Sequence, residues 1–238
     1  MSEQFWRLFR KNESLRGVAE WDHEAMTKIE QQFPGVRIAT LMCPATHPVN
    51  IPTHVLLTSK HINDFIFSVY GACMIKDCVL QMFRNEGFTG LNVLPIVAKM
   101  KSWRSKNVID SIEIPKLWEV FATGWGGMAK PQSGIHLLSD RGGFLRYSDL
   151  EDSSNLIDEN QWDGSDFFIV WPMPRYLFVS DRVARFIMKH KLTGVKLIRV
   201  ESLRDSIKYS TLGYSPGRLR AWLPEPKAKE IGEPLNIY

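Results

Sequence analysis

Four residues in the first third of the chain, Cys43, His47, His54 and His61, supply a thiolate and three imidazoles, the atom types that hold zinc. The histidines recur every seven residues and no pair closes a tight chelating loop, so one buried thiol and three ordinary imidazoles are expected instead. Two carboxylate pairs, Asp158 with Glu159 and Asp163 with Asp166, have the types needed for general acid and base work. They fall in a stretch rich in Gly, Ser and Asn, where such side chains form turns and solvated charges. The chain has no Gly-rich phosphate loop ending in Lys-Ser or Lys-Thr, no Gly-x-Ser-x-Gly and no His-Glu-x-x-His. No catalytic, cofactor-binding or metal residue is expected, and the chain reads as a protein that is not an enzyme.

The charges are unevenly placed. Between Asp149 and Asp166 the chain carries Asp149, Glu151, Asp152, Asp158, Glu159, Asp163 and Asp166 with no Lys or Arg. Between Arg182 and Lys229, twelve basic residues stand against Glu201, Asp205 and Glu225. The whole chain, 238 residues with a net charge of +4, is long enough to bury a substantial core. Its three cysteines are an odd number, which argues against a disulfide framework and for a reducing compartment. Cys73 and Cys78 read as small core groups. No apolar run approaches the roughly 20 residues that span a bilayer, and the first residues, with Glu3, Arg7, Arg10 and Lys11, lack the apolar stretch of a secretory signal. A cytoplasmic protein is expected.

The elements that must position these residues contain a faint repeat. The stretch from Ile75 to Ile96 recurs 104 positions later as Val179 to Val200. Asp77 meets Asp181, Val79 meets Val183, Thr89 meets Thr193 and Gly90 meets Gly194, while Met82/Phe186, Phe83/Ile187, Phe88/Leu192, Leu91/Val195 and Val93/Leu197 stay apolar. Each copy reads as a helix opened by an Asp that accepts from free backbone N–H groups, then a Thr-Gly pair, then a strand. Gly87 suits a left-handed helix end; the second copy has Lys191 there.

Elsewhere, Phe5 to Phe9, Val36 to Met42, His54 to Thr58, Leu117 to Ala122, Ile135 to Leu138, Gly143 to Tyr147, Phe167 to Val170 and Tyr176 to Val179 read as strands. Asp22 to Phe33 reads as a helix with Asp22 as its cap, and Ser59 to Tyr70 as a second. Gly124-Trp125-Gly126-Gly127 reads as a turn, and the tail after Leu203 as irregular. The class expected is α+β, with mixed and antiparallel sheets built around two similar helix-Gly-strand units (75–96 and 179–200). They form either one compact domain or two intimate lobes, about 1–110 and 111–238.

The run from Asn160 through Trp162-Asp163-Gly164-Ser165-Asp166 and Trp171-Pro172-Met173-Pro174 to Val179, followed by Arg182-Val183-Ala184 and Leu192-Thr193-Gly194, resembles the double-CXXCG family of bacterial immunity proteins. Gly124-Trp125-Gly126 belongs to the same likeness. The motif positions are Gly124, Trp125, Gly126, Gly164, Trp171, Pro172, Pro174 and Gly194. The residues that name the family are altered: Ser139-Asp140-Arg141-Gly142-Gly143 stands at the second Cys-x-x-Cys-Gly, and Cys43-Pro44-Ala45-Thr46-His47 at the first. Four thiolates would hold the structural zinc of typical members and one cannot, so no cofactor is expected, with Trp118, Trp125, Phe144 and Tyr147 packing in its place.

The resemblance implies a cytoplasmic protein that neutralises a cognate antibacterial toxin by one-to-one binding, with no chemistry of its own and no membrane partner. The acidic segment is the expected contact surface: Asp149, Glu151, Asp152, Asp158, Glu159, Asp163 and Asp166, with Trp162 exposed at its tip, would face a basic cleft. The competing expectation is that Trp162 and Trp171 pack the loop down and its carboxylates pair with the basic half of the same molecule. Nucleic acid is not the partner this reading expects. The alternative reading is a nucleic-acid-binding module using Arg182 to Lys229, with Tyr209, Tyr214 and Trp222 as stacking groups.

Overall fold

A computed structural model of the chain describes residues 3–11, 19–33, 51–59, 61–68, 72–101, 108–109, 113–141, 144–154, 156–203 and 217–238. The expected strand at Val36–Met42 lies outside them. The class is α+β, and two sheets hold twelve of the fourteen strands among the described residues.

The first sheet has seven strands: β2 (Ala19–Trp21), β3 (Thr53–Leu57), β6 (Leu91–Lys101), β8 (Leu117–Ala122), β5 (Cys73–Lys76) and β4 (Phe65–Phe67) in that spatial order, with β7 (Val108–Ile109) paired to β6. All pairings are antiparallel except β3 with β6. A bridge from Ala19 to Ser68 joins the two ends, curling the sheet back on itself. The period of two along its strands feeds a core on each face. Phe65, Phe67, Cys73 and Ile75 join the main core, while Ile66 and Met74 join Ala19, Val55, Leu57, Met100 and Leu117 inside the curl. Helix α1 (His23–Gln32), capped by Asp22, whose carboxylate accepts from Ala25 N at 3.0 Å, covers Trp21 and Ile51 with Met26 and Ile29.

The second sheet runs β14 (Val195–Arg199), β1 (Phe5–Arg10), β13 (Phe178–Ser180), β12 (Phe167–Trp171) and β9 (Gly124–Met128). Between the sheets lies the main core, where Phe83 meets Phe65, Phe88, Phe167 and Phe186 at ring separations of 5.5 to 6.2 Å. A small two-stranded ribbon, β10 (Leu137–Arg141) with β11 (Phe144–Tyr147), stands beside it. Helix α4 (Glu225–Gly232) lies near the C-terminus.

The repeat seen in sequence is larger in three dimensions. β5, helix α2 (Asp77–Asn85) and β6 correspond to β13, helix α3 (Asp181–Lys189) and β14. Gly87 and Lys191 both turn left-handed after their helices, at φ +67° and +51°. β4 pairs with β5 as β12 pairs with β13, and β8 lies between β6 and β5 as β1 lies between β14 and β13. The registers agree: Trp118 faces Ile75 and Pro95, and Trp6 faces Val179 and Arg199. Each sheet is thus completed by a strand from the other half of the chain, so β1 and β8 cross the division near residue 110.

Four local expectations are corrected. Ser59–Tyr70 is not helical where it is described: Phe65–Phe67 is a strand, because pairing with β5 and burial on both faces suit two Phe around an Ile. The Gly124–Gly127 stretch is a buried strand rather than a turn. Its glycines serve close approach: a Cβ on Gly124 would sit 2.3 Å from Phe167 O, and one on Gly126 2.3 Å from the Phe168 ring. Asp77 and Asp181 do not cap their helices. Lys76 and Ser180 hold the cap positions without a side-chain bond to the helix N–H groups, and the carboxylates accept from the indoles of Trp118 (2.7 Å) and Trp6 (3.1 Å). The tail is not wholly irregular, since Pro226 in the first turn of α4 suits a helix start and Ala228 is buried.

Candidate functional site

The acidic segment is fastened at its C-terminal end by one of two crossed contacts. Asp166 Oδ2 accepts from Thr89 N at 3.0 Å and Thr89 Oγ1 at 3.3 Å, while Asp166 N donates to Thr89 Oγ1 at 3.1 Å. The same exchange recurs between Asp64 and Thr193, at 2.9, 2.8 and 3.0 Å. Phe167 N donates to Thr89 O, and Phe65 N to Thr193 O. The Thr-Gly pair of each copy therefore clasps the Asp-Phe entrance to the other copy's strand. Gly90 and Gly194 allow it: a Cβ at either would lie 2.1 Å from the carbonyl oxygen of Phe167 or Phe65, and both residues have positive φ.

The clasps differ in their counter-charges. Asp166 is buried and also binds Ser180 Oγ at 2.9 Å and Arg182 at 2.9 Å, and Arg182 additionally donates to Glu86 O and lies over the Phe88 ring. Asp64 has Lys76 at 3.4 Å and is about a quarter exposed. Burial acts to raise the Asp64 pKa, but hydrogen bonds from Thr193 and the Lys76 charge outweigh it and hold the carboxyl below the ordinary value.

Upstream of Asp166 the segment has no regular structure, yet it is bound along its length. Glu151 N and Asp152 N donate to Ser133 O, and Ser153 Oγ donates to Glu201 O. Leu156 and Ile157 are buried in the main core, and Leu156 O accepts from Lys130 N. Asp158 closes a turn by accepting from Asn160 and Gln161, bonds that lower its pKa. Gln161 Oε1 accepts from Met128 N. Asp163 accepts from Trp125 N at 2.8 Å, Ser165 N at 2.9 Å and Lys227 Nζ at 2.5 Å. Burial works against ionisation of Asp163, and these donors, Lys227 foremost, outweigh it and lower the pKa.

Trp162 is half-buried rather than exposed at a tip. It meets Phe5 edge-on at 5.1 Å and donates its indole N–H to Ser165 O at 3.0 Å. Asp166 likewise turns inward to Arg182, while Asp163 is exposed as a residue and has its carboxylate held against Trp125 N and Lys227. Asp149 and Asp158 are half-buried, while Glu151, Asp152 and Glu159 are exposed. Of the resemblance positions, Trp171, Pro172 and Pro174 are buried, and Trp171 donates to Tyr147 OH at 2.9 Å. Gly164 and Gly194 take positive φ.

Cys43 and His47 lie outside the described residues; His54 is half-buried and His61 exposed. At the place of the second Cys-x-x-Cys-Gly, Asp140 is held by Arg218 at 3.0 Å and Arg141 follows it. A guanidinium beside a carboxylate already claimed by another does not fit a zinc site. Among the described residues, no group of three or more His, Cys, Asp or Glu is disposed to hold a metal. Cys73 is a core group, and burial pushes its thiol far up, away from reactivity, whereas Cys78 is exposed on α2 rather than in the core. Ser148 Oγ lies 3.1 Å from His136 Nδ1, but the hydroxyl donates to Gly134 O at 2.8 Å and accepts from His136 N, which makes it a turn fastener rather than a nucleophile. No helix among the described residues is long and apolar enough to cross a membrane.

Sequence reading missed Asp64, and it singled out Thr193 in the repeat and Lys227 in the basic stretch without their partners Asp64 and Asp163. A signal for Asp64 was present: Asn63-Asp64-Phe65-Ile66-Phe67 parallels Ser165-Asp166-Phe167-Phe168-Ile169 at nearly the spacing of the repeat. A scan against protein-family models gives no match to this chain, and a search of curated proteins gives none.

Proposed function

We propose that this protein is a cytoplasmic immunity protein that neutralises a cognate antibacterial toxin by one-to-one binding, with the outer carboxylates of the 149–163 segment in the interface. The observation that carries the reading is the pinned state of that segment. A stretch without regular structure is bound to Ser133, Lys130, Met128, Trp125 and Lys227, while Glu151, Asp152 and Glu159 stay at the surface. A loop ordered before binding loses little entropy on docking, and a set of fixed like charges speeds encounter with a cationic cleft. The Trp162–Asp166 and Trp171–Pro174 motifs add the likeness to immunity proteins. They lie in the framework beneath the exposed carboxylates rather than in the contact surface itself.

The test is protection. The gene immediately upstream is expressed in a sensitive host with and without this protein. Growth arrest relieved by co-expression, and co-purification of the two products, are the expected results. Arrest without relief, or no arrest, removes the reading.

A further inference from the structure

The two copies of the unit serve as each other's control. Where the second copy carries Arg185, Lys189, Lys191 and Arg199, the first carries Gln81, Asn85, Gly87 and Pro95. Lys11, whose N–H donates to Gly194 O, corresponds to Thr123, whose N–H donates to Gly90 O. The charges that the first copy does bear here balance: Arg84 and Glu86 stand opposite Met188 and His190, and Asp77 pairs with Lys116 at 3.8 Å, which lies over the Trp118 ring as Arg199 lies over Trp6. Since the same helix, turn and strand form with neutral residues in the first copy, folding does not require the second copy's cations.

These cations lie together. Arg185 and Lys189 project from one stripe of α3, and Lys191 occupies the turn after it. Lys11 sits beside that turn. Arg199 lies 5.1 Å over the Trp6 ring, whose indole binds Asp181, and Asp181 in turn pairs with Arg185. Asp181 is the acid within this group, and Trp6 and Arg185 occupy it. Arg185 is 78% exposed, and Lys11, Lys189, Lys191 and Arg199 are exposed too.

From this asymmetry we infer a second binding surface, independent of the acidic segment: the outer face of α3 with its C-terminal turn binds the phosphate backbone of duplex nucleic acid. A protein partner fits less well, because Lys is depleted from protein interfaces and Met188 is the large hydrophobic exposed here, too little for a desolvated anchor. A single strand fits less well among the described residues, where Trp222 is buried and Trp6 lies under Arg199; Tyr209 and Tyr214 lie outside them. Contacts to phosphate alone give binding without sequence preference and with a steep salt dependence. The basic stretch read from the sequence is thereby divided, since Arg182, Arg218 and Lys227 serve the fold and α3 with its turn faces outward.

The test is fluorescence anisotropy of labelled 20-base-pair duplexes of unrelated sequence, titrated with the full chain over a range of salt. A variant carrying the first copy's residues, R185Q/K189N/K191G, is measured alongside, with thermal unfolding as a fold check. The wild type is expected to bind all duplexes alike. In the variant the log–log salt slope should fall by about 2–3, at roughly 0.9 for each phosphate no longer neutralised, and affinity at moderate salt by at least about tenfold. Three results overturn the inference: no wild-type binding at low salt, unchanged affinity in a folded variant, or equal binding to poly-glutamate, which would assign the face to acidic proteins. If the variant fails to fold, the wild-type salt slope and the poly-glutamate comparison still decide.

Discussion

The two Asp–Thr clasps have the same backbone geometry and different surroundings. Both use an Asp before an aromatic strand, a Thr-Gly pair from the other copy, and a carbonyl laid against glycine. The Asp166 clasp is buried and gathers Ser180 and Arg182, whereas the Asp64 clasp is partly exposed and has Lys76 at 3.4 Å. The shared part is the structural requirement of the unit. The differing part reports what each copy has been adapted to do, and the more heavily bonded clasp is the one that roots the acidic segment.

Changes that strike the shared part should be largest and equal. Gly90→Ala and Gly194→Ala each place a methyl group against a carbonyl oxygen and force an unfavourable φ, and each should cost at least about 3 kcal/mol in denaturant unfolding. A large difference between them would break the equivalence. The next effect separates the clasps. Asp166→Ala takes the acceptor from buried Ser180 Oγ and from the Thr89 N–H, and removes the partner of Arg182 Nη1, and should cost about 3 kcal/mol; Asp64→Ala should cost about 1 kcal/mol. Equal losses would mean that burial does not distinguish them.

Acid sharpens the comparison further. Asp163 and Asp64 have pKa values lower in the folded protein than free Asp, despite burial. Such groups stabilise the fold fully above the unfolded value, about 3.9, and lose that contribution as pH falls through the folded value. Unfolding free energy should therefore be insensitive to these groups above about pH 5 and decline below about pH 4. Asp163→Asn, compared with wild type in denaturant melts at pH 3 and pH 6, should show the smaller decline. The smallest effects belong to the indole bonds: Trp118→Phe and Trp6→Phe each remove one bond to a partly exposed carboxylate, at about 1 kcal/mol each. Trp118, with the shorter bond, should show the greater loss.

Elements with a local pattern were legible in the sequence. Phe5–Phe9 alternates, Phe167–Val170 is a continuous apolar run, and Asp22 precedes an amphipathic stretch; these became β1, β12 and the capped α1. The repeat was visible for the same reason, since Thr-Gly pairs and apolar spacing are local. What failed depended on partners far along the chain. Asp77 and Asp181 look like caps until tryptophans 41 and 175 residues away claim them. The Phe65–Phe67 run reads as a helix until β5 pairs with it, and nothing local announces that β1 and β8 change places. In the candidate site, composition found the acidic segment but could not sort it. Only the fold shows Asp163 and Asp166 held by Lys227 and Arg182, with Glu151, Asp152 and Glu159 turned outward.

The central claim is that these outward carboxylates, set on a pinned segment, form a docking surface. Calorimetric titration of the purified product of the upstream gene with wild-type protein and with E151Q/D152N/E159Q tests it most directly. The account predicts saturable one-to-one binding by the wild type, weakened at least about tenfold in a variant of unchanged melting temperature. Absence of binding by the wild type, or equal affinity in the variant, would contradict it.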